Sequence, residues 1–349
     1  MVKIALMVAI RGYREALLER LEGEPGVELV RVEGPDALDA AIEGAEIFIF
    51  NGSAYDEHVH RILQEKGQAV RWMHTTSAGN EPLLSRGAPP NVTVTRSGGH
   101  SAPVVAEHAI ALLLALARGL PYAMENQRRK LWSRNRDGPR TGTMRSLIGR
   151  TAVVLGFGPI GQEIARRLKA LGMGVISVSR SGRPHELSDE SYAVQDLKLA
   201  LSKASVLVVA APGNPETAGL VGQAELAAMQ PDGFVVNIGR GTIIDTAAIE
   251  AALRKGVILG AGLDVQDPEP LPPEHSLWDA PNLIITPHRA GGGDPLSARR
   301  QAESVAQNLE RFRRGEALEH VLQVKASIWP NDGREGEPMD ERTTLAAKR

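Results

Sequence analysis

The chain has 349 residues, 42% of them hydrophobic, enough to bury a sizeable core, and its length favours two domains over one. A net charge of -2 and the lack of any long lysine-arginine block argue against nucleic acid or a membrane surface as partners. Cysteine is absent, which removes disulfides, thiolate nucleophiles and cysteine zinc sites and fits a reducing, cytoplasmic compartment.

In chain order, MVKIALMVAI reads as a strand entering the helix RGYREALLERL rather than as a signal peptide, because its apolar part is short and no small-residue cleavage site follows. Short apolar runs then alternate with amphipathic helical patterns: VELVRV, DALDAAIEGA, EIFIF and HVHRILQEKG. His58 and His60 in this last segment lack a carboxylate and cysteine context, so no metal site is expected. His100 lies near the first candidate joint between domains and is read as structural. The run AIALLLALA at 109–117 is about half the length of a membrane span and reads as a buried helix.

A second series begins at TAVVLGFG and continues through IGQEIARRLKALG, GVISVS, LKLALSKA, SVLVVAAP, GFVVNIGRG, DTAAIEAALRKG, GVILGAGLDV and NLIITPH. The alternation predicts α/β architecture with parallel sheets. The expected division is a discontinuous domain of residues 1–100 plus 294–324 around a domain of residues 101–293, with the long helix LSARRQAESVAQNLERFRRG returning to the first. Residues 325–349, rich in charge, glycine and proline, are expected to form a flexible tail.

TAVVLGFGPIGQEIARRL places Gly156, Gly158 and Gly161 between an apolar strand and an amphipathic helix, with Pro159 and Ile160 inside the loop. There the first glycine permits a tight turn, the second lets backbone approach a pyrophosphate and the third allows close packing under a helix N-terminus that favours anions. The second strand, GVISVS, ends on Ser179, where an acidic residue would bind the ribose hydroxyls and repel a 2′-phosphate. Instead, Ser179, Arg180, Ser181 and Arg183 offer donors to a phosphate, so the sequence predicts a preference for NADP(H), with NAD(H) still possible. One charge-assisted hydrogen bond contributes about 1.5 to 3 kcal/mol, a preference on the order of tenfold to a hundredfold.

Arg240 sits between two glycines after an apolar strand, where a parallel sheet presents ligands and a guanidinium can grip a carboxylate. GLDVQDPEPL brings Asp264, Asp267 and Glu269 to the end of another strand, and LIITPHRAG ends a further one on His288. A positioned proton donor beside a fixed positive charge suits a reaction that leaves a developing oxyanion. Histidine titrates near neutrality, and a carboxylate beside it orients the ring and favours its charged form.

These segments, together with SAG at 77–79, VAEHAIALLLALAR and PETAGL, resemble the D-isomer-specific 2-hydroxyacid dehydrogenase family over roughly residues 45–322. The family includes glyoxylate and hydroxypyruvate reductases and phosphoglycerate dehydrogenases. The resemblance implies two doubly wound parallel-sheet, Rossmann-like domains around an interdomain cleft and a homodimer formed through the cofactor domain. It implies Arg240 as the substrate-holding residue, His288 as acid/base with Glu269 as its partner (Asp267 being the weaker rival), and Asp264 on the nicotinamide amide. The backbone of Ser77, Ala78 and Gly79 would hold the substrate carboxylate. Departures are Asn80-Glu81 for a more usual valine-aspartate pair, Gln266 for an aromatic residue and Arg289 for an aliphatic one. They leave the substrate's identity open, and Trp132, in the arm that crosses the family's dimer, could reach the partner's site or pack in the interface. The expected activity is reduction of small 2-oxo acids by NADPH; the alternatives are an NAD-dependent dehydrogenase working oxidatively and a dinucleotide-sensing regulatory protein.

Overall fold

A computed structural model describes residues 1–77, 79–133, 144–292 and 294–326. The described residues form two compact units, one of Met1–Ala9, Leu21–Arg96 and the stretch 307–326, the other of Ile10–Arg20 and Ser97–Ala306. Each is a Rossmann-like α/β domain built on a wholly parallel sheet.

The first unit holds β1 (Val2–Met7), β2 (Val27–Arg31), β3 (Ile47–Phe50), β4 (Trp72–Thr75) and β5 (Thr93–Arg96) in the order β2-β1-β3-β4-β5. The strand order reverses between β1 and β3, and such switch points open a crevice at the carboxyl ends of the strands. Ala5, Met7, Phe48, Phe50 and Met73 point from alternate positions into one apolar core, closed by Val59, Ile62 and Leu63 of α3 (Glu57–Lys66). His60 sits on that helix with Nδ1 3.0 Å from the Tyr55 hydroxyl, and His58 pairs with Arg61 and Asp36. Lys325 and Ala326, the first residues of the expected tail, pair with Ala88; the tail from 327 lies outside the described residues.

The second unit has seven strands: β6 (Thr151–Leu155), β7 (Gly174–Ser179), β8 (Glu190–Ala193), β9 (Val206–Val209), β10 (Phe234–Asn237), β11 (Gly260–Leu263) and β12 (Leu283–Ile285). Their order is β12-β11-β10-β9-β6-β7-β8, the dinucleotide-binding order with one strand added at the edge. Helices cover both faces, so β9 and most of β6 and β10 read as continuous apolar runs instead of alternating. Val153, Leu155, Leu207 and Val209 meet Ile249 and Leu253 of α10 (Thr246–Arg254) on one face. Ala152, Val154, Val206 and Val208 meet α5 (Ala102–Ala117) and α7 (Pro159–Ala170) on the other. The apolar run at 109–117 is therefore the buried end of α5, and no single helix among the described residues is long and apolar enough to cross a membrane.

Three strands lie outside the apolar runs read from the sequence: β4, β5 and β8. In β4, Trp72 Nε1 donates to Thr95 Oγ1 at 2.8 Å and His74 Nδ1 lies 2.9 Å from the same oxygen, so polar atoms are carried into the core already partnered. The segment ESYA of β8 is an edge strand, paired only with β7 and half exposed.

Candidate active site

In the second unit, the turn after β6 is built on glycine for steric reasons. Gly156 has φ of 93°, and a Cβ there would lie 2.5 Å from the backbone nitrogen of Ala211; at Gly161 a Cβ would stand 2.1 Å from the Gly156 carbonyl oxygen. Gly158 faces open space and caps α7 without any side-chain hydrogen bond, and Pro159 and Ile160 enter the first turn. Backbone N–H groups left over at a helix start, with room above them, suit a pyrophosphate. Ser179 ends β7, and its Oγ accepts from Gly182 N at 3.2 Å. Gly182 (φ 62°) packs with its Cβ position 2.7 Å from Ala193 N, which turns the loop back onto β8 and leaves Arg180, Ser181 and Arg183 exposed. Arg180 and Arg183 have no carboxylate partner among the described residues, and the Ser179 hydroxyl proton stays available.

Arg240 follows β10 in extended backbone conformation, half-buried, with Nη1 donating to the Gly239 carbonyl at 2.6 Å. Its loop is tied down by Asn237, which is 1% exposed: Nδ2 donates to Arg240 O at 3.0 Å, and Oδ1 accepts from Gly239 N at 3.0 Å. Gly213 and Gly241 make room, since a Cβ at the first would lie 2.8 Å from Arg240 Cγ and at the second 2.1 Å from Gln266 O. Asn237 and Gly213 were not singled out along the chain, and Gly241 was seen only as a neighbour of Arg240; the room they make and the bonds they supply are a matter of contact.

His288 Nδ1 lies 2.6 Å from Glu269 Oε1. The carboxylate facing the histidine is thus that of Glu269, in a segment whose Asp267-Pro268 and Glu269-Pro270 bonds are both cis, while Asp267 uses its backbone oxygen to accept from Thr246. Both side chains are accessible, 47% for His288 and 38% for Glu269. With Nδ1 engaged, Nε2 is the nitrogen free to meet a substrate oxygen. His288 adopts φ of 47°, a left-handed conformation that costs about 1 kcal/mol outside glycine, though histidine tolerates it better than most residues.

Asp264 is 1% exposed, and its carboxylate accepts from Thr286 Oγ1 and Arg289 N on Oδ1 and from Ala290 N on Oδ2. A carboxylate offers about four acceptor directions, and these three donors leave one of them on Oδ2. Arg289 itself is exposed.

In the first unit, Ser77 and Gly79 follow β4; Ala78 lies outside the described residues. Ser77 Oγ accepts from Gly52 N at 3.0 Å, and Thr75 Oγ1 donates to Asn80 Oδ1 at 2.6 Å while Asn80 Nδ2 donates to Ser77 O at 3.3 Å. Asn51 spans the switch point, accepting from Ala9 N and donating to Thr76 Oγ1. A Cβ at Gly52 would stand 2.4 Å from Gly79 O, so the loop is pressed against β3's exit. Asn80, one of the departures, is therefore part of the loop's support.

A glycine loop at the switch point of a Rossmann sheet and a histidine–carboxylate pair at the end of the same sheet define an oxidoreductase that works with a nicotinamide dinucleotide. The family described as D-isomer specific 2-hydroxyacid dehydrogenase, NAD binding domain, matches residues 110–290. Glyoxylate reductase of Korarchaeum cryptofilum is 33% identical over 88% of this chain and 92% of its own. That of Thermococcus gammatolerans is 38% identical over 60% of this chain and 63% of its own. Among solved structures, a D-isomer specific 2-hydroxyacid dehydrogenase family protein from Aeromonas salmonicida is similar at 30% identity, TM-score 0.78, over 92% of this chain and 99% of that one. An NADPH-dependent glyoxylate/hydroxypyruvate reductase from Sinorhizobium meliloti, in complex with NADP and sulfate, is similar at 26% identity, TM-score 0.76, over 93% and 98%. The chain belongs to the D-isomer specific 2-hydroxyacid dehydrogenase family.

Proposed function

We propose that the protein is an NADPH-preferring reductase of small 2-oxo acids, glyoxylate and hydroxypyruvate first among them, yielding D-2-hydroxy acids. The observation that carries this reading is the 2.6 Å pair of His288 Nδ1 with Glu269 Oε1, which leaves Nε2 as the proton donor. Bound NADPH supplies the hydride to the 2-oxo carbon. His288 gives the alkoxide its proton, Glu269 holds the imidazole ring and balances its charge, and Arg240 pairs with the substrate's carboxylate and carbonyl oxygens. The backbone of Ser77, Ala78 and Gly79 receives the carboxylate from the first unit, which we assign as the substrate-binding domain. Asp264 keeps one acceptor direction for the nicotinamide amide. Arg180 and Arg183, exposed and without a carboxylate partner among the described residues, support with Ser179 and Ser181 the preference for a 2′-phosphate. The exposed side chains of Leu120, Met124, Leu131 and Trp132 support a homodimer. A reducing cytoplasm suits a chain without cysteine.

Initial rates of NADPH and NADH consumption with glyoxylate, then hydroxypyruvate and bulkier 2-oxo acids, test the reading. Faster turnover with NADPH is expected, and Arg180→Ala should cut that preference by about tenfold. An NADH preference would make Arg180 a surface residue, and absence of turnover with every acid would overturn the reductase assignment.

A further inference from the structure

The buried carboxylate of Asp264 does more than close a strand. Besides the bonds from Arg289 N at 3.0 Å and Ala290 N at 2.9 Å to its side chain, its carbonyl oxygen accepts from His288 N at 2.8 Å. Three consecutive backbone nitrogens, 288 to 290, are thus held by one residue, which keeps His288 in its left-handed conformation. One further group reaches this clamp. His108, on α5, places Nε2 3.0 Å from Thr286 Oγ1 and 3.3 Å from Asp264 Oδ1, and the reaction as derived above gives it no role.

Counting protons fixes the state of that nitrogen. A carboxylate can only accept, so the single hydroxyl proton of Thr286 lies on its 2.6 Å contact with Asp264 Oδ1. The threonine oxygen then has only lone pairs to offer His108. A bare Nε2 would set its own lone pair against two oxygens, one of them charged; a protonated Nε2 donates to the threonine oxygen and turns its positive end toward the carboxylate.

We infer that His108 is a positioning residue for the proton donor: its Nε2–H, donated to Thr286 Oγ1, holds the hydroxyl whose own proton binds Asp264 Oδ1, and so fixes the carboxylate in the orientation that grips residues 288–290. The chain of contacts runs from the rigid helix α5 through Asp264 to the loop, so His108 acts on the reaction without touching substrate. The inference rests on the assignment of His288 as the proton donor.

The test compares His108→Leu, which keeps bulk and loses the donor, with His108→Gln, whose amide N–H reaches to a similar point. For the leucine variant kcat with glyoxylate should fall about tenfold, the worth of one positioned hydrogen bond, with the KM for NADPH within about twofold of wild type. The glutamine variant should recover most of the loss. Thr286→Val removes the intermediate oxygen and serves if the leucine variant does not fold; combined with His108→Leu it should cost less than the product of the two single effects. In the 15N-labelled wild-type protein, NMR should find His108 protonated at Nε2. A bare Nε2, equal losses in the leucine and glutamine variants, or a leucine variant with wild-type kcat would each overturn the inference. Wild-type protein inactive on every 2-oxo acid would instead sink the functional reading, while the NMR result would still decide the state of His108.

Discussion

Two loops that follow strand ends in the two sheets are held in different ways. In the first unit, the segment after β4 is tied by neutral groups, the side chains of Asn51, Thr75, Ser77 and Asn80, and by a close approach of Gly52. In the second, the segment after β12 is held by a charge that is 1% exposed, with backbone and hydroxyl donors around it. A neutral hydrogen bond contributes about 1 kcal/mol, whereas a buried carboxylate that loses its donors, or donors that lose it, costs considerably more. The loop that carries the proton donor is therefore the more rigidly specified one, and the loop assigned to the substrate carboxylate is held by interactions weak enough to yield to different acids.

That contrast can be broken at both ends. The largest effect belongs to His288→Ala, which should lower turnover by about a hundredfold to ten-thousandfold while NADPH affinity and melting temperature stay near wild type; retained turnover would remove His288 from its role. Next, Asp264→Asn turns one acceptor into a donor facing a backbone N–H, and chemical denaturation should register a loss of about 2 to 4 kcal/mol with a marked fall in kcat. A loss under 1 kcal/mol would mean that the clamp is not set by charge. In the other loop, Gly52→Ala drives a Cβ into Gly79 O, and we expect about 1 to 3 kcal/mol of destabilisation with a raised KM for the 2-oxo acid. Asn80→Val, restoring the residue usual in the family, should cost about 1 kcal/mol and shift KM among 2-oxo acids with kcat almost unmoved; an unchanged substrate profile would show that this departure is silent.

The smallest effect is one of pH. Burial lowers the pKa of His60 below its ordinary 6.5, so the folded first unit prefers it neutral. Its contribution to stability is complete above pH 6.5, where both states are neutral, and is lost as pH falls from there through the folded value, because the unfolded chain takes up the proton first. His60→Gln should flatten the dependence of melting temperature on pH below 6.5, and an identical slope in the variant would assign that dependence elsewhere.

Much of this arrangement was readable along the chain. The glycine loop needs a strand before it and a helix after it, and GFGPIG supplies both in one stretch. The central strands of the second sheet, covered on both faces, advertise themselves as apolar runs. What escaped were elements whose polar atoms are satisfied across strands. β4 carries Trp72 and His74 into the core because Thr95, twenty-one residues beyond His74, accepts or shares their hydrogen bonds. The edge strand β8 follows β7 in the sheet with too little burial to mark its sequence. The grouping of α1 (Arg11–Leu21) with the second unit has the same origin: Tyr13 donates to Gly291 O at 2.9 Å, and Arg20 pairs with Glu303 at 2.9 Å, both partners more than 270 residues away.

For the site, strand ends that lie along one edge of a parallel sheet marked where Arg240, Glu269, Asp267 and His288 would gather, and the family resemblance supplied the roles given to them. Sequence by itself determined the architecture, the dinucleotide loop and the residue types available for proton transfer, because these follow from local periodicity and from which side chains can carry charge. Only the tertiary structure decided that Glu269 and not Asp267 faces the histidine, that Asp264 grips three backbone nitrogens, and that His108 stands behind it. Those are choices among carboxylates and imidazoles of equal chemistry, and hydrogen bonds, which act only within about 3 Å, can distinguish them only once the chain has folded.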